Sequence, residues 1–487
     1  MRRRTFLGSL AVVAGCRNAP RAEGVEVVVP SDPLSLDPRF SVDVHGMRLS
    51  RLVHLTLTRP DPTTLEPTAA LAETVQWEKD AVVVTLPKDA RFHDGSRLTA
   101  RDVLASFAAL AGVALGSPSR RVLSQLETPE ALDGETGRIV RFRGKSPRAT
   151  LLGDLDFPIL KADEAARPRD AMLTGSGSHR LASRAPGLVV LEPAGARPGR
   201  STLHVRTVRD EAARAMRILG GRADVVANAL GPTLALSLPS RSDAPAGLLA
   251  RTCPSASTTM LLLQNERPPL DRPEVRRAIA EAIDRAGLVA AKLGGAGSLA
   301  RGLLPPSLGV AAPPERAWAP ERARAALAGQ SGPLVLVTGV DRIRVGIARV
   351  IAQAIGDAGI PVEVRTFELA TLLARLGAGD FHLAPLIASE LTDPDNLRWY
   401  LHSQAIPPAG ANRARVRDPD LDRWIDEGLA ETDPAARRAL YARIEARVHE
   451  RAYVLPLFHE HHVALTSSRA HAFHPTVDGR WSTLADV

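Results

Sequence analysis

Strands and helices alternate on both sides of a segment rich in proline and glycine, and this alternation constrains the fold more than any other feature. Leu334 to Val337 is predicted as a strand, Val345 to Ala358 as a helix and Val362 to Thr366 as a second strand. Together they form a β-α-β unit. The segments Pro193 to Gly199 and Pro232 to Gly247 interrupt the chain before it. Because strands also alternate with helices ahead of this interruption, we predict two α/β lobes without an internal repeat.

Local signals place individual elements within these lobes. Val25 to Val29 is a valine run broken only by Glu26, and Met260 to Leu263 is an uninterrupted apolar run; both are typical of buried strands. Thr99 is predicted to cap a helix, because Asp102 follows three residues later as in a capping box. Asp271 is predicted to cap another helix, since a proline and a glutamate follow in its first turn.

The N-terminus has the pattern of an export signal. Arginines at positions 2 to 4 precede an apolar run, Phe6 to Ala14, which is too short for a bilayer span of roughly 20 residues. Val13-Ala14-Gly15-Cys16 resembles a bacterial lipobox, and residues 3–7 resemble a twin-arginine signal. We predict a signal peptide with a lipobox over 1–16, acylation of Cys16 and a tether over 17–24. An ordinary cleaved signal, and general rather than twin-arginine export, both stay open.

Charge and cysteine content argue against a nucleic-acid-binding protein and against a protein stabilised by disulfides. The net charge of +8 falls by three once the signal arginines are removed, and the remaining basic residues are scattered among acidic ones. A mixed-charge surface of this kind does not indicate a nucleic-acid partner. Cys16 and Cys253 are the two cysteines, so acylation of the first leaves no internal disulfide, and Cys253 is predicted to be a buried, inert thiol.

A series of short blocks, each weak alone, occurs in a fixed order along the chain. The blocks are Ser35-Leu36-Asp37-Pro38, Leu71-Ala72-Glu73, Ala90 to Gly95 with Leu98 to Val103, Gly175 to Ser178, Pro269 to Asp271 with Val275 to Ile279 and Ala282 to Arg285, Asp393 to Asn396, and Leu455 to Leu457. In this order they resemble the peptide and nickel class of bacterial extracytoplasmic solute-binding proteins of ABC transporters, which includes the dipeptide- and oligopeptide-binding proteins. The resemblance runs from about Val25 to about His462.

The resemblance implies a two-lobed periplasmic-binding-protein fold of type II, from the large cluster that carries an extra subdomain in its first lobe. The ligand cleft lies between the lobes, and binding proceeds by hinge closure, which the membrane permease then recognises. The implied limits are 25–250 for lobe I with a subdomain inserted at about 46–160, 251–452 for lobe II, and 453–487 for the return to lobe I, with crossings near Leu249 to Pro254 and near Ala452 to Pro456.

The resemblance also assigns the binding residues. In the family an acidic residue just before the Asp-Pro-Asp-Asn segment holds the amino terminus of the peptide, and here that residue is Glu390. Asp393 and Asp395 are predicted to cap a helix that begins near Asn396. Edge segments that would pair with the peptide backbone fall at about Ser41 to Gly46 and Ile387 to Ser389. The remaining ligand-binding candidates are therefore Val42, Val44, Ala388 and Ser389, with Arg342 as the nearby basic residue.

Two departures from the family leave the ligand open. The aromatic residue expected shortly before the acidic position is replaced by Leu386-Ile387-Ala388, which favours an aliphatic or non-peptide ligand. The arginine that holds the carboxylate of a dipeptide in the family has no match here, and Arg342 and Arg344 are merely nearby. The run His459 to His462 is predicted to lie beside the hinge and not to bind a metal, because adjacent side chains of an extended chain point to opposite faces.

We therefore predict a lipid-anchored, monomeric receptor on the periplasmic side of the inner membrane. It binds short peptides, delivers them to an ABC permease and requires neither a cofactor nor a metal. A receptor for a metal chelate, haem or a sugar is the first alternative. A lipid-tethered envelope hydrolase is the second, although no HExxH, CxxC or nucleophile–base pattern supports it.

Overall fold

The computed structural model describes residues 23–195, 199–330 and 332–487. The predicted signal peptide, its lipobox with Cys16 and most of the predicted tether lie outside these ranges. Within them, no helix combines the length and the apolar character that crossing a membrane requires.

The first half of the chain supplies twelve strands and five helices to the described structure. In chain order these are β1 (Val25–Val29), α1 (Val44–Val53), β2 (Thr58–Pro60), β3 (Pro67–Ala69), β4 (Thr74–Glu78), β5 (Ala81–Thr85), α2 (Ala100–Ala111), α3 (Arg120–Leu123), β6 (Glu130–Ala131), β7 (Ile139–Arg143), β8 (His179–Ala185), β9 (Leu188–Pro193), β10 (Leu203–Thr207), α4 (Glu211–Leu219), β11 (Val225–Ala227), α5 (Pro232–Ser237) and β12 (Leu249–Pro254).

The second half supplies six strands and eight helices to the same structure. They are β13 (Thr258–Leu263), α6 (Pro273–Ala282), α7 (Arg285–Leu293), β14 (Gly297–Leu299), α8 (Pro320–Leu327), β15 (Leu334–Gly339), α9 (Arg342–Asp357), β16 (Val362–Phe367), α10 (Leu369–Ala378), β17 (Leu383–Ala388), α11 (Asn396–Leu401), α12 (Pro419–Ala430), α13 (Pro434–Arg451) and β18 (Val454–Thr466).

The two predicted lobes are present, and a single strand joins them. The main sheet runs in the order β16-β15-β17-β13-β18-β11-β1-β10-β9-β8, with β12 and β14 also paired to β18. The first part of β18, up to Glu460, pairs with β13 and β14 of lobe II. Its second part, from His461, pairs with β11 and β12 of lobe I. The second crossing therefore lies at Glu460–His461 and not near Ala452 to Pro456, because one uninterrupted strand serves both lobes.

Separate hydrophobic cores define the parts of the first lobe. Leu49 and Leu52 of α1 pack with the valines of β1 in the core of lobe I. The strands β4 to β7 and helix α2 enclose a core of their own, which extends from Leu57 to Ile159. The inserted subdomain thus has its core after α1, whereas the predicted limit at residue 46 falls inside that helix. Lobe II buries one core on each face of its sheet.

The structure tests the local predictions one by one. The strand over Val25–Val29 and the buried strand containing Met260 to Leu263 are confirmed. The Thr99 N–H donates to the Asp102 carboxylate at 2.9 Å, as a capping box requires. The prediction for Asp271 was wrong, since the N-cap of α6 is Arg272. Asp271 belongs to the preceding turn, where its N–H donates to a carbonyl four residues earlier.

Candidate functional site

The carboxyl ends of two sets of parallel strands face each other across the space between the lobes. In lobe I, β1 runs parallel to β10 and β11, and in lobe II, β15 runs parallel to β16 and β17. Pro30 and Asn228, which follow β1 and β11, line one opening of about 600 Å³ together with Arg342 and Ile343, which follow β15. Ligands of open α/β sheets bind at the carboxyl ends of the strands. The cleft between the lobes is therefore the candidate site.

Glu390 projects from the carboxyl end of β17 in an unusual backbone conformation. Its φ of 53° lies in the left-handed region, which costs a residue with a Cβ on the order of 1 kcal/mol. The following backbone holds it there, because the Leu391 N–H donates to the Ala256 carbonyl at 2.7 Å and the Thr392 N–H donates to the Glu390 carbonyl at 2.8 Å. The Glu390 side chain is exposed. Across the described ranges, its carboxylate has neither a hydrogen bond nor a salt bridge.

The negative charge of Glu390 raises the pKa of arginines of lobe I. Arg48, on α1, is buried and donates from Nε to the Gly479 carbonyl at 2.7 Å, with its guanidinium 4.8 Å from the centre of the Trp481 ring. Burial lowers the pKa of Arg48 to about 10, while Glu390 and Asp478 act in the opposite direction. A group on lobe II and a helix on lobe I thus interact across the cleft.

Arg480 and Arg51 complete this basic group. Arg480 pairs with Asp156 at 2.5 Å and with Asp478 at 3.4 Å. Burial would lower the pKa of Arg480, but Asp156, Asp478 and Glu390 raise it above its ordinary value. Arg51 lies 3.9 Å from Asp156, and its pKa is lowered by burial and by Arg480. Arg48 and Arg51 share a face of α1 because they are three residues apart.

Sequence reasoning missed these arginines because nothing local marks them. Arg480 follows Arg51 by more than four hundred residues, and the interaction depends on how the C-terminal segment folds back on lobe I. The only available signal was the three-residue spacing of Arg48 and Arg51, which places both on one face of a helix.

The predicted edge segment Ser41 to Gly46 was wrong in part. Val44 is the first residue of α1, and Asp43 caps this helix by accepting the Gly46 N–H at 2.8 Å. Helical backbone cannot pair with an extended peptide, so Val44 offers only a side chain, which is 43% exposed. Val42, just outside the helix, is 61% exposed. An aspartate directly before an apolar periodic segment was the signal that would have found this cap.

The other predicted edge, Ile387 to Ser389, lies beside Glu390 at the end of β17. The Ala388 side chain is buried, so only its backbone is a candidate for ligand contact. On one side Ala388 pairs with Thr258 of β13. On the other side, among the described residues, β17 pairs with β15 only at Leu383, which leaves the end of that edge open. Ser389 is exposed, and its backbone makes a hydrogen bond with Tyr400, whose pKa is raised by burial.

The structure places Arg342 at the cleft but apart from Glu390. Arg342 is exposed at the start of α9 and lines the 600 Å³ opening with Lys292, whereas Glu390 does not line it. Arg344, two residues later, is engaged by Glu460 of β18 at 2.8 Å. Glu390 and Arg342 therefore do not form one compact pair of ligand contacts.

The helix predicted to begin near Asn396 is confirmed, and at its start the Asp393 carboxylate accepts the Asp395 N–H at 2.7 Å, whereas the predicted capping by Asp395 was wrong. Asp395 occupies the N-cap position of α11 but makes no side-chain cap hydrogen bond. It accepts instead from the Tyr441 hydroxyl at 3.0 Å, and burial raises its pKa to about 6. Asp393 forms a two-point ion pair with Arg437 at 2.7 and 2.9 Å. Both carboxylates hold α13 against the loop that follows Glu390.

The histidine run lies in β18 at the crossing between the lobes. His459 contacts the Thr258 hydroxyl at 2.9 Å, and His462 contacts the Asn228 amide at 2.8 Å, so each is tied to a different lobe. Over residues 23–195, 199–330 and 332–487, no three His, Cys, Asp or Glu side chains are grouped as a metal would require. Cys253 is half-buried rather than buried, and burial raises the pKa of its thiol.

Comparison with known proteins gives a family and several relatives. A model described as bacterial extracellular solute-binding proteins, family 5 Middle, matches residues 66–407. A probable di/tripeptide-binding protein 5 of Pseudomonas aeruginosa is 32% identical over 244 residues, which make up 48% of this chain and 46% of that protein. The probable D,D-dipeptide-binding periplasmic protein DdpA of Escherichia coli is 24% identical over 461 residues, 89% of this chain and 87% of the relative.

Solved structures share the two-lobed fold. NikA from Brucella suis, in complex with Fe(III)-EDTA, has a TM-score of 0.82 at 21% identity and covers 94% of this chain and 98% of its own. DppA from Helicobacter pylori, in complex with the peptide STSA, has a TM-score of 0.74 at 20% identity and covers 95% of this chain and 96% of its own. At these identities the likeness shows the fold, and the predicted fold class is confirmed.

Proposed function

We propose that this chain, which belongs to family 5 of the bacterial extracellular solute-binding proteins, captures short peptides between its lobes. It would do so as the receptor of an ABC importer. Members of this family are extracytoplasmic transport receptors and not enzymes, so the tethered hydrolase is set aside. Two of its relatives are named for di- and tripeptides or for D,D-dipeptides.

The observation that carries the peptide ligand is the opposition of charges across the cleft. Glu390 extends an unpartnered carboxylate from lobe II, and Arg48, Arg51 and Arg480 lie opposite on lobe I. A free peptide has an ammonium group at one end and a carboxylate at the other. Each must be paired when it leaves water, because an unpaired buried charge is strongly destabilising. A site with an available carboxylate and excess arginine donors meets that need.

Hinge closure follows from the same arrangement. Glu390 belongs to lobe II and the arginines belong to lobe I, so a ligand that touches both makes its full set of contacts only when the lobes are together. Such a ligand shifts the equilibrium toward the closed form by its differential affinity. β18 is the mechanical link, since it continues from one lobe into the other. The closed form would then be the one that the permease recognises.

The export and anchoring predictions complete the proposal. The lipobox-like segment ending at Cys16 supports a lipid anchor, which would hold the receptor at the periplasmic side of the inner membrane beside its permease. Mass spectrometry of the protein purified from membranes tests this, because an acylated Cys16 would be the first residue of the mature chain.

Titration calorimetry with Glu390→Gln tests the ammonium contact. Di- and tripeptides with a free amino terminus should bind the variant at least about tenfold more weakly than the wild type, since a hydrogen bond to a charged group contributes about 1.5–3 kcal/mol. The N-acetylated forms of the same peptides should bind both proteins equally weakly. Glu321→Gln, an exposed carboxylate on α8 of the same lobe, is the matched control and should leave affinity unchanged.

Two outcomes would contradict the proposal. Equal affinity of wild type and Glu390→Gln for free-amine peptides would remove Glu390 from the ligand contacts. Heat from a metal chelate, haem or a sugar, with none from any di- to pentapeptide, would replace the ligand while leaving the receptor role intact.

A further inference from the structure

An apolar surface lies on lobe I beside the mouth of the cleft, where the chain leaves β1. Residues 33–44, 112–117 and 165–173 form it together, and we call them the platform. Four of its large apolar side chains are 61% to 76% exposed, namely Leu34, Val42, Val113 and Met172. Single exposed apolar side chains are ordinary, but a group of them marks an interaction site.

The platform is rigid because a buried ion pair holds its three segments together. The Arg39 side chain is fully buried and pairs with Asp37 at 2.6 Å. The Arg39 guanidinium also donates to three carbonyl groups between residues 165 and 168, at 2.6 to 3.1 Å. The Ser117 hydroxyl donates to the Arg39 carbonyl at 2.8 Å. A surface that is ordered before binding loses little conformational entropy when a partner docks.

Two cavities open on either side of the segment 166–173. The smaller has a volume of about 160 Å³, and its apolar lining includes Leu36, Leu49, Val53, Leu181 and Leu191. The larger, of about 510 Å³, lies between Phe40 and the end of α2. An apolar cavity of about 150 Å³ holds one benzene ring, so the smaller cavity fits one large apolar side chain. Within the described ranges Arg48 and Arg51 line neither cavity, so the platform is separate from the charged groups opposite Glu390.

Every charged side chain that lines the two cavities contacts another group of lobe I. The contacts are those of Asp37 with Arg39, Asp170 with Ser35, Arg184 with the carbonyls of Pro33 and Leu34, Arg167 with Glu164, and Arg169 with the Phe40 ring. The platform therefore offers a partner apolar surface rather than an uncompensated charge, and it fits apolar side chains.

Lobe II carries an apolar rim at the matching position across the cleft. Val340 follows β15 and Leu369 follows β16, as Leu34 follows β1, and the parallel strands of both lobes end toward the cleft. Both side chains of this rim are exposed. Because the platform and the rim belong to different lobes, the distance between them changes with the hinge angle. A partner that contacts both therefore binds one hinge angle better than the others.

We propose that the platform, together with the rim of lobe II, is the docking surface for the membrane permease of an ABC importer. A solute that leaves the cleft enters whatever covers its mouth, so the partner that receives the solute covers the surfaces on both sides of that mouth. One apolar side chain of the permease fills the smaller cavity, and others pack on the exposed side chains around it. The role of the partner as a permease rests on the proposed function, whereas its apolar character rests on the platform.

Import measurements in the bacterium that makes this protein test the docking surface. Met172→Glu places a charge at the smaller cavity, and Leu369→Glu places one on the rim of lobe II. Each should lower the import rate of a labelled dipeptide at least about tenfold, because a buried apolar contact does not tolerate an unpaired charge. Calorimetry should find the ligand affinity of both purified variants unchanged. Met216→Glu, at an exposed methionine of α4 in lobe I, and Val350→Glu, at an exposed position of α9 in lobe II, are the matched controls and should import at the wild-type rate.

Photo-cross-linking in intact cells separates this proposal from the peptide function. A receptor in which benzoylphenylalanine replaces Met172 should form an adduct that mass spectrometry identifies as a subunit of an ABC permease, whereas the same replacement of Met216 should not. If calorimetry finds no peptide ligand but this adduct forms, the proposed ligand fails and the docking surface stands. Import by Met172→Glu and Leu369→Glu at the wild-type rate would overturn the docking surface. An adduct with a second copy of the receptor, or with lipid, in place of the permease would overturn the identity of the partner.

Discussion

Glu445 is a buried acid whose ionisation should limit the stability of the protein at neutral pH. It lies on α13, is 2% exposed, and accepts the backbone N–H groups of Leu303 at 3.0 Å and Leu304 at 2.6 Å. The Leu303 carbonyl in turn accepts from the Thr258 hydroxyl at 2.6 Å, and Thr258 contacts His459 of β18. Glu445 therefore supports the segment that lies against the crossing strand.

The size of this effect on the free energy of unfolding follows from the pKa of Glu445. Burial raises the pKa of Glu445 from 4.5 to about 7, although its two N–H donors act in the opposite direction. Below pH 4.5 the carboxyl group is protonated in both the folded and the unfolded chain, and the stability is fully present. As the pH rises toward 7, the unfolded chain releases its proton first, so the free energy of unfolding falls. A pKa difference of this size corresponds to about 3 kcal/mol.

Glu445→Gln removes this dependence while keeping the shape of the side chain. The amide replaces one acceptor oxygen, so at pH 4 the variant should be about 1–3 kcal/mol less stable than the wild type. Urea denaturation between pH 4 and pH 8 should show the variant less stable than the wild type at pH 4, with the gap reduced by about 3 kcal/mol at pH 8. Glu450→Gln, at an exposed position of the same helix, should leave the wild-type profile unchanged. A gap that stays constant across this range would refute the reasoning.

Two further predictions concern contacts that hold the cleft in shape. Arg437→Ala leaves Asp393 without its two-point partner and should lower the free energy of unfolding by about 1–3 kcal/mol in urea, while Arg438→Ala at the exposed neighbouring position should not. Arg121→Ala removes a guanidinium 3.8 Å from the Trp399 ring, a contact between the inserted subdomain and lobe II worth about 0.5–1 kcal/mol. The radius of gyration of this variant in solution scattering should increase, because loss of the contact raises the population of the open form relative to the closed form roughly two- to fivefold. An unchanged scattering curve would contradict this prediction.

The elements that sequence reasoning found are those whose signals are local. Val25 to Val29 consists of β-branched valines except at Glu26, and the strand has the predicted limits because these valines are buried on both faces of the sheet. The start of α6 was misplaced by one residue, since a proline at the first helical position fixes a helix start without saying which preceding residue caps it. Val44 was misassigned because the family pattern was given more weight than the aspartate before it.

A site residue could be predicted only where it lies beside a short sequence motif of the family. Glu390 stays a predicted ligand contact that rests on its place before the Asp393 to Asn396 block, and its left-handed backbone could not be predicted, since glutamate has no preference for that conformation. The arginines opposite it come from α1 and from the C-terminal segment. Whether these arginines lie close together depends on packing between distant parts of the chain, which no periodicity or spacing in the sequence predicts.

The shared strand also has a consequence for how the protein is made. A ribosome that has not yet reached Val454 has released two incomplete sheets, because β13 and β14 lack their neighbour in lobe II and β11 and β12 lack theirs in lobe I. Unpaired strand edges are sites of aggregation in nascent chains. Neither sheet can be completed ahead of the other, so the emergence of β18 closes both sheets at once, and until then the cell has a single large folding intermediate to protect.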